Sequence, residues 1–411
     1  MLSAMHHRSI TLVALGAAVF SAPTALFAGI TLIGATSIPG TATDRSGLTD
    51  TLSGGIPHNR LGSFGSGIAY TGKDDLYIAC DDRGPANGEV PFRARVQTFR
   101  ITIDPSAQGN SSAVRVELVS TTLLSDETGR PLVGAASSFD ANDQKLGLRY
   151  DAEGIRVSPK GTLYISDEYG PWIDEFGLDG KRLRRLPIPS RFMIDHPSAD
   201  AKQELTPQNT KGRQANRGFE GLAISADGST LWALLQSPLI QDGGLSGANK
   251  RVGVNCRILE IKPGGGPTRE FVYTLDSPKH GTNEMLAIND HEFLVIERDN
   301  KTGDEAKMRA LYRIDINGAT DVSNVAALPS TGLPAGVTPV HKTMFLDFTD
   351  KKFGLTGANM PEKIEGLAFG PTLPDGRRTL VVTTDNDVLA DVPSWFWVFA
   401  IDANDLVATA H

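Results

Sequence analysis

One short phrase recurs along this chain of 411 residues. It reads DAEGI, FEGLA, NEMLA and IEGLA at residues 151–155, 219–223, 283–287 and 364–368, and a fifth copy at 65–69 has serine in place of glutamate. Each copy leads through a turn into an apolar strand that ends in polar or acidic residues. Self-similarity over tens of residues is the signature of a repeat architecture.

Each repeat contains short alternating strands separated by Gly, Pro, Asn and Asp turns. Four strands in a unit of roughly 60–90 residues predict the blade of an all-β propeller with antiparallel sheets. The last repeat has only three clear strands, and residues 30–38 offer the fourth. We therefore predict five blades closed by the N-terminal strand. Residues 121–150 and 318–342 leave a six-bladed alternative open.

The N-terminus has the pattern of an export signal. A basic segment precedes an apolar run over residues 10–20, and small residues follow up to Ala28. This predicts a signal peptide at residues 1–28, a single propeller domain over 29–411 and a periplasmic or secreted location. The alternative is an uncleaved N-terminal anchor. No later segment is apolar enough to span a membrane.

Composition narrows the partners further. The formal net charge of −8 argues against nucleic acid as a partner. A closed propeller has no sheet edge that requires another chain, so we expect a monomer. The two cysteines, Cys80 and Cys256, lie in strands of different repeats; buried free thiols are favoured, and a single bridge is the alternative.

The recurring glutamate predicts a metal site. Each copy begins the innermost strand of its blade, so the four glutamates would surround the central channel: Glu153, Glu220, Glu284 and Glu365. Carboxylates held close together repel one another unless a cation or a proton compensates them. Oxygen ligands without Cys or His indicate a hard cation, and export favours Ca²⁺. The alternative is that these glutamates cap backbone N–H groups without a metal.

Further charged residues close the second strand of several blades or flank the glutamates. Because neighbouring hairpin ends share one side of a sheet, they are expected on the same face. Asp167 and Glu168 are candidate general bases. The candidate ligands for an anionic substrate are Arg83, Arg217, Arg298 and Lys363. Alternatively, these basic groups only pair with neighbouring acids and stabilise loops.

Several phrases resemble the phytase-like family of exported bacterial proteins. They are residues 151–154, 166–170, 216–223, 297–299 and 363–367, in this order, and the resemblance covers about residues 45–405. The family is described by the esterase-like activity of phytase, which implies a hydrolase. The glutamate ring is also similar to the central calcium site of five-bladed calcium-dependent apyrases.

Three functions are compatible with these patterns. The leading hypothesis is an exported, Ca²⁺-binding hydrolase of a small anionic phosphate ester. A calcium-dependent lactonase or carboxylic esterase is the second, since a bound cation also polarises a carbonyl. The third is a non-enzymatic envelope binding module with a structural Ca²⁺. The chain has no G-x-S-x-G nucleophile elbow, no H-E-x-x-H zinc motif and no Walker-type phosphate loop.

Overall fold

The computed structural model describes residues 29–107, 113–143, 146–358 and 360–407. The signal peptide predicted at residues 1–28 lies outside the described residues. The described strands form five antiparallel sheets of four strands each, together with two short two-stranded hairpins. The predicted five-bladed propeller is therefore confirmed.

In chain order the strands are β1 (Thr31–Ile38), β2 (Thr51–Leu52), β3 (Ile56–Pro57), β4 (Gly67–Tyr70), β5 (Leu76–Cys80), β6 (Arg95–Ile103), β7 (Val114–Leu123), β8 (Ala152–Val157), β9 (Leu163–Asp167), β10 (Trp172–Phe176), β11 (Arg182–Arg185), β12 (Phe219–Ile224), β13 (Leu231–Leu235), β14 (Leu245–Ser246), β15 (Lys250–Arg251), β16 (Asn255–Ile261), β17 (Arg269–Thr274), β18 (Gly281–Ala287), β19 (Glu292–Arg298), β20 (Arg309–Asp315), β21 (His341–Asp347), β22 (Lys363–Thr372), β23 (Arg378–Asp385) and β24 (Ser394–Ile401). Blade 1 is β4–β7 and blade 2 is β8–β11. Blade 3 is β12, β13, β16 and β17, and blade 4 is β18–β21. Blade 5 is β22–β24 with β1.

The helical elements that the structure describes from end to end are short turns in the connections. They are α1 (Pro85–Gly88) and the 3₁₀ turns Ser53–Gly55, Ala136–Ser138, Ser190–Phe192, Ala201–Glu204, Ile240–Asp242, Gly247–Asn249, Gly303–Glu305, Lys351–Phe353 and Ala403–Leu406. In the part of the chain that the structure describes, no helix has the length and apolar composition needed to cross a membrane.

The N-terminal strand closes the ring, as predicted. β1 pairs antiparallel with β24, from Thr31 opposite Ala400 to Ile38 opposite Ser394. Pairing the two ends of the chain in one blade removes the sheet edge that an open ring would expose. The described parts of residues 121–150 and 318–342 contribute no further blade, so the six-bladed alternative is excluded.

The first strand of each blade lies at the axis of the propeller. β4, β8, β12, β18 and β22 contact one another in this order around the ring, and β22 contacts β4. Each of the five largest clusters of buried apolar side chains lies between two adjacent blades. Successive side chains of β24 point to opposite faces of its sheet and so belong to two of these clusters. Phe396 packs against blade 1, and Trp397 packs against blade 4. Cys80 and Cys256 are buried free thiols, as favoured by the sequence.

Glycine is required where the inner strands approach one another. A Cβ on Gly221 in β12 would lie 2.7 Å from the backbone nitrogen of Met285 in β18. We expect Gly221→Ala to lower the free energy of unfolding by about 1–3 kcal/mol, because the added methyl group must push two packed strands apart. Urea unfolding measures this loss. The control is Gly264→Ala, whose Cβ meets nothing within 4 Å; equal losses in the two variants would contradict this explanation.

Candidate functional site

β-Bulges aim the start of the inner strands into the channel. The pairing of the first two strands is interrupted by one extra residue at Glu153 and Gly154, at Glu220, at Asn283 and Glu284, and at Glu365. A bulge bends the strand and redirects a side chain, and bulges are frequent next to functional sites. The recurring phrase of the sequence is therefore the sequence of this bulge.

Four of the five blades place the expected residue at the ring position, and blade 4 does not. Leu222 pairs with Ala233 in blade 3, and Met285 pairs with Val295 in blade 4, so Met285 corresponds to Leu222. Asn283 therefore occupies the position of Glu220. The ring therefore consists of Ser66, Glu153, Glu220, Asn283 and Glu365. The side-chain amide nitrogen of Asn283 donates to Glu220 at 2.9 Å and to Glu365 at 3.1 Å.

Glu284, predicted as a metal ligand, does not line the cavity described below. It corresponds to the glycine of the other copies and is fully buried. Its Oε1 lies 3.0 Å from Nη2 of Arg156 and accepts the backbone N–H groups of Leu222 and Met285 at 3.1 and 2.9 Å. A shift of one residue in a strand moves a side chain to the other face. The missing glycine after Glu284 was the signal of this shift in the sequence.

A cavity of about 230 Å³ opens at the channel end where the inner strands begin. Six acidic and four basic side chains line it, which leaves two formal negative charges: Asp82, Glu153, Glu168, Glu220, Glu362 and Glu365 against Arg83, Arg217, Arg298 and Lys363. The ends of the second strands thus join the ring residues on one face. Eight of the ten candidate residues from the sequence meet here; Glu284 and Asp167 do not.

Three buried carboxylates in the cavity form a cluster that fits a metal ion. Oxygens of Glu153, Glu168 and Glu220 lie within 4.8 Å of one another. Among the described residues, the Glu153 carboxylate accepts no hydrogen bond, and neither do the buried Oε1 of Glu168 and Oε2 of Glu220. The buried Oδ1 of Asn283 is also without a partner. A hard cation such as Ca²⁺ would satisfy these orphaned oxygens, so the residues fit the ion that the sequence suggested.

The electrostatics of the cluster agree with this fit. Burial and the neighbouring Glu220 raise the pKa of Glu153 well above its usual value. Burial and Glu168 do the same for the pKa of Glu220. The pKa of Glu168 is raised to about 7, chiefly by burial and by Asp151, with Arg83 opposing the rise. Without a cation, burial and mutual repulsion therefore favour the protonated forms of these groups.

Two other clusters of acidic residues near the cavity are already paired with basic side chains of the protein. Lys363 donates to Asp385 at 2.5 Å and to Asp387 at 2.5 Å, and lies 3.5 Å from Asp82. Arg83 donates to Asp151 at 2.7 Å through Nη1. An ammonium or guanidinium group at these positions takes the place that a metal would need. These ion pairs also occupy two of the four basic residues predicted to bind substrate.

Arg217 and Arg298 keep free donor capacity toward the cavity. Arg217 donates to Gln236 at 2.5 Å and forms no ion pair with a described residue. Burial, together with Arg251, lowers the pKa of its guanidinium to about 10. Arg298 donates to Glu365 at 2.7 Å, but its buried Nε has no hydrogen-bond partner among the described residues. An anion in the cavity would complete both hydrogen-bonding sets.

Asp167, the other candidate base, points into the protein. It is buried, and its Oδ1 accepts the backbone N–H groups of Asp151 and Tyr169, both at 3.0 Å. It fixes the loop that carries Glu168 into the cavity. Sequence reasoning also missed Asn216, whose left-handed backbone (φ 54°) precedes Arg217 and whose side chain accepts from Arg83. Its signals in the sequence are an asparagine at a turn next to the candidate Arg217 and its place at the start of the phrase over residues 216–223.

Comparison with known proteins identifies several similar chains. An uncharacterized secreted protein of Arthroderma benhamiae is 27% identical to this chain over 87% of its length and 86% of that protein. A gluconolactonase from Xanthomonas campestris is 10% identical, with a TM-score of 0.38 over 92% of this chain and 99% of that one. The PQQ-bound aldose sugar dehydrogenase of Streptomyces coelicolor is 14% identical, with a TM-score of 0.34 over 87% and 83%.

A family profile matches most of the propeller. It is the profile named phytase-like, described as esterase-like activity of phytase, and it covers residues 59–388. The matched segment runs from before β4 into the loop after β23. It therefore includes all ten residues that the sequence singled out for the site.

Proposed function

Because the chain belongs to the phytase-like family, we propose that it is an exported hydrolase of phosphate esters with Ca²⁺ bound by Glu153, Glu168 and Glu220. One observation carries the proposal: a buried carboxylate cluster with unpartnered oxygens shares a cavity with Arg217, which forms no ion pair in the described part of the chain. The carboxylates suit a cation, and the arginine suits an anion. A metal-bound phosphate ester satisfies both.

Different side chains of the site bind the cation and the phosphate group. A Ca²⁺ held by Glu153, Glu168 and Glu220 would supply positive charge to phosphoryl oxygens and would make water more acidic. Arg217 and Arg298, which both line the cavity, bind the remaining phosphoryl oxygens. Arg83 lies 3.4 Å from Oε2 of Glu168 and positions that carboxylate. We assign Glu168 to the ion rather than to proton transfer, because its free oxygen belongs to the cluster.

Export is part of the proposal. The basic and apolar N-terminal segment of this chain has the order of a signal peptide. The relative from Arthroderma benhamiae is named as a secreted protein. A calcium-rich compartment outside the cytoplasm suits an oxygen-ligand site.

The variant Arg217→Ala tests the proposal that the substrate is a phosphate ester. We expect kcat/KM for phosphate release to fall by about 100-fold or more, because the variant loses its charged contact to the phosphoryl group. The assay uses a panel of phytate, a nucleoside diphosphate, an aryl phosphate, an aryl acetate and a lactone, each with Ca²⁺ and with a chelator. The control is Arg184→Ala, an exposed arginine paired with Glu175 on blade 2. Unchanged phosphate release in Arg217→Ala would refute the assignment.

A carboxylic esterase or lactonase is the second candidate. It is favoured by one observation: Arg83 and Lys363 are neutralised by ion pairs, so the cavity has fewer free cations than the sequence suggested. In the same panel, turnover of only the acetate or lactone would support this function. Absence of all turnover, with a melting temperature that still rises on adding Ca²⁺, would support a binding module with a structural ion.

A further inference from the structure

A second cavity lies at the other end of the central channel. Its volume is about 360 Å³, within the range of roughly 300–1,000 Å³ that is usual for small-molecule sites. The ends of all five inner strands form it, whereas their beginnings form the cavity around Glu153. Its lining includes Ile68, Val157, Ile224, Leu286 and Phe369. It is thus separate from the proposed hydrolase site.

Arg156 forms the floor between the two cavities. Its Nη1 donates to the carbonyl groups of Ile68 at 3.0 Å and Ile155 at 2.6 Å, and its Nη2 donates to that of Met285 at 2.9 Å. These bonds join blades 1, 2 and 4 at the axis. The side chain is 4% exposed, and its buried Nε has no hydrogen-bond partner among the described residues. A buried donor without a partner is rare and costly.

Arg378 supplies a second cation at the same cavity. It is half-buried, and its guanidinium lies 3.8 Å above the ring of Phe369. No described residue forms a hydrogen bond or an ion pair with it. No carboxylate lines this cavity either, since its described lining is apolar except for the two arginines, Tyr70, Ser225 and Asn289. Arg156 is paired with Glu284, whereas Arg378 has no acidic partner among the described residues. An unpaired arginine at an apolar cavity favours an anion.

We propose that this cavity binds a small organic anion, a monocarboxylate with an apolar body. The carboxylate accepts hydrogen bonds from Arg378, and the hydrocarbon packs against the ends of the inner strands. Burial of the hydrocarbon supplies affinity, and Arg378 selects for charge. The proposal does not depend on the hydrolase function, because no residue is shared with the other cavity.

The test is calorimetric titration of the full chain with sodium octanoate. We expect saturable binding at millimolar concentrations, and weaker binding of the neutral octanol by about tenfold. Arg378→Ala should weaken octanoate binding by about tenfold or more, since a charge-assisted contact is lost. The matched control is Arg377→Ala, the preceding arginine, which pairs with Asp375 and lies outside the cavity; this variant should bind as the unaltered protein does.

Three results would overturn the proposal. The first is the absence of octanoate binding, and the second is equal binding by the unaltered protein and Arg378→Ala. The third is loss of octanoate binding in Arg217→Ala, which would place the anion in the cavity at the opposite end. Hydrolysis of the substrate panel by Arg378→Ala should remain at the level of the unaltered protein.

Discussion

Replacing Glu284 with alanine is expected to destabilise the propeller by about 3–5 kcal/mol. Its carboxylate is the ion-pair partner of Arg156 at 3.0 Å, and both side chains are buried. Removing one member of a buried pair leaves an uncompensated charge in the interior. The same change leaves the backbone N–H groups of Leu222 and Met285 without their acceptor.

Urea unfolding of three variants separates these contributions. Glu284→Gln keeps an acceptor for the amides and removes the charge, so it should lose less stability than Glu284→Ala. Burial raises the pKa of Glu284 to about 7, while Arg156 and the two amides oppose the rise. Glu305→Ala is the control, because this glutamate is 78% exposed and its pair with Lys301 contributes at most about 1 kcal/mol. If Glu284→Ala loses no more stability than the control, the ion pair of Glu284 with Arg156 does not stabilise the propeller as proposed.

Glu153→Gln is expected to have opposite effects on the metal-free and the calcium-loaded protein. In the absence of metal it removes one of three buried carboxylates that repel one another, so the melting temperature should rise. With Ca²⁺ it removes a ligand, so calcium affinity should fall by about 100-fold and calcium should no longer raise the melting temperature. Calcium-dependent hydrolysis should fall in parallel.

The control for this prediction lies in the same cavity. Glu362 lines the rim but is exposed, and it is not a member of the cluster. Glu362→Gln makes the same chemical change and should alter calcium affinity by less than about threefold, since exposed charges interact weakly. Thermal melts with added Ca²⁺ and with a chelator distinguish the two variants. If Glu153→Gln keeps the full calcium-induced rise, the cluster is not the calcium site.

Glu153 and Glu284 lie in different parts of the central channel and have different roles. Glu153 belongs to the cavity, where an unsatisfied carboxylate is available to a ligand. Glu284 belongs to the floor, where Arg156 and two amides satisfy it. Glu284→Ala should therefore act mainly on stability, and Glu153→Gln mainly on calcium binding. Measuring both properties in both variants tests this division directly.

Local sequence determined the architecture. Alternating strands and the recurring bulge phrase are short-range patterns, and they were sufficient to predict five blades, closure by residues 30–38 and a shared face for Glu153, Glu168 and Glu220. This succeeds because side chains alternate along a strand with a period of two residues, and because the ends of a hairpin lie close together.

Tertiary structure decided which of the candidate residues line the cavity and which basic candidates are engaged in ion pairs. The register of one bulge placed Asn283 rather than Glu284 in the ring, and a one-residue difference there reverses the direction of a side chain. Ion pairs joined Lys363 to Asp385 and Arg83 to Asp151 but left Arg217 unpaired. Lys363 and Asp385 lie opposite each other in the β22–β23 hairpin of blade 5, whereas the Arg83–Asp151 pair joins blade 1 to blade 2. No local pattern encodes the contact between blades, because the packing of neighbouring blades sets its distance.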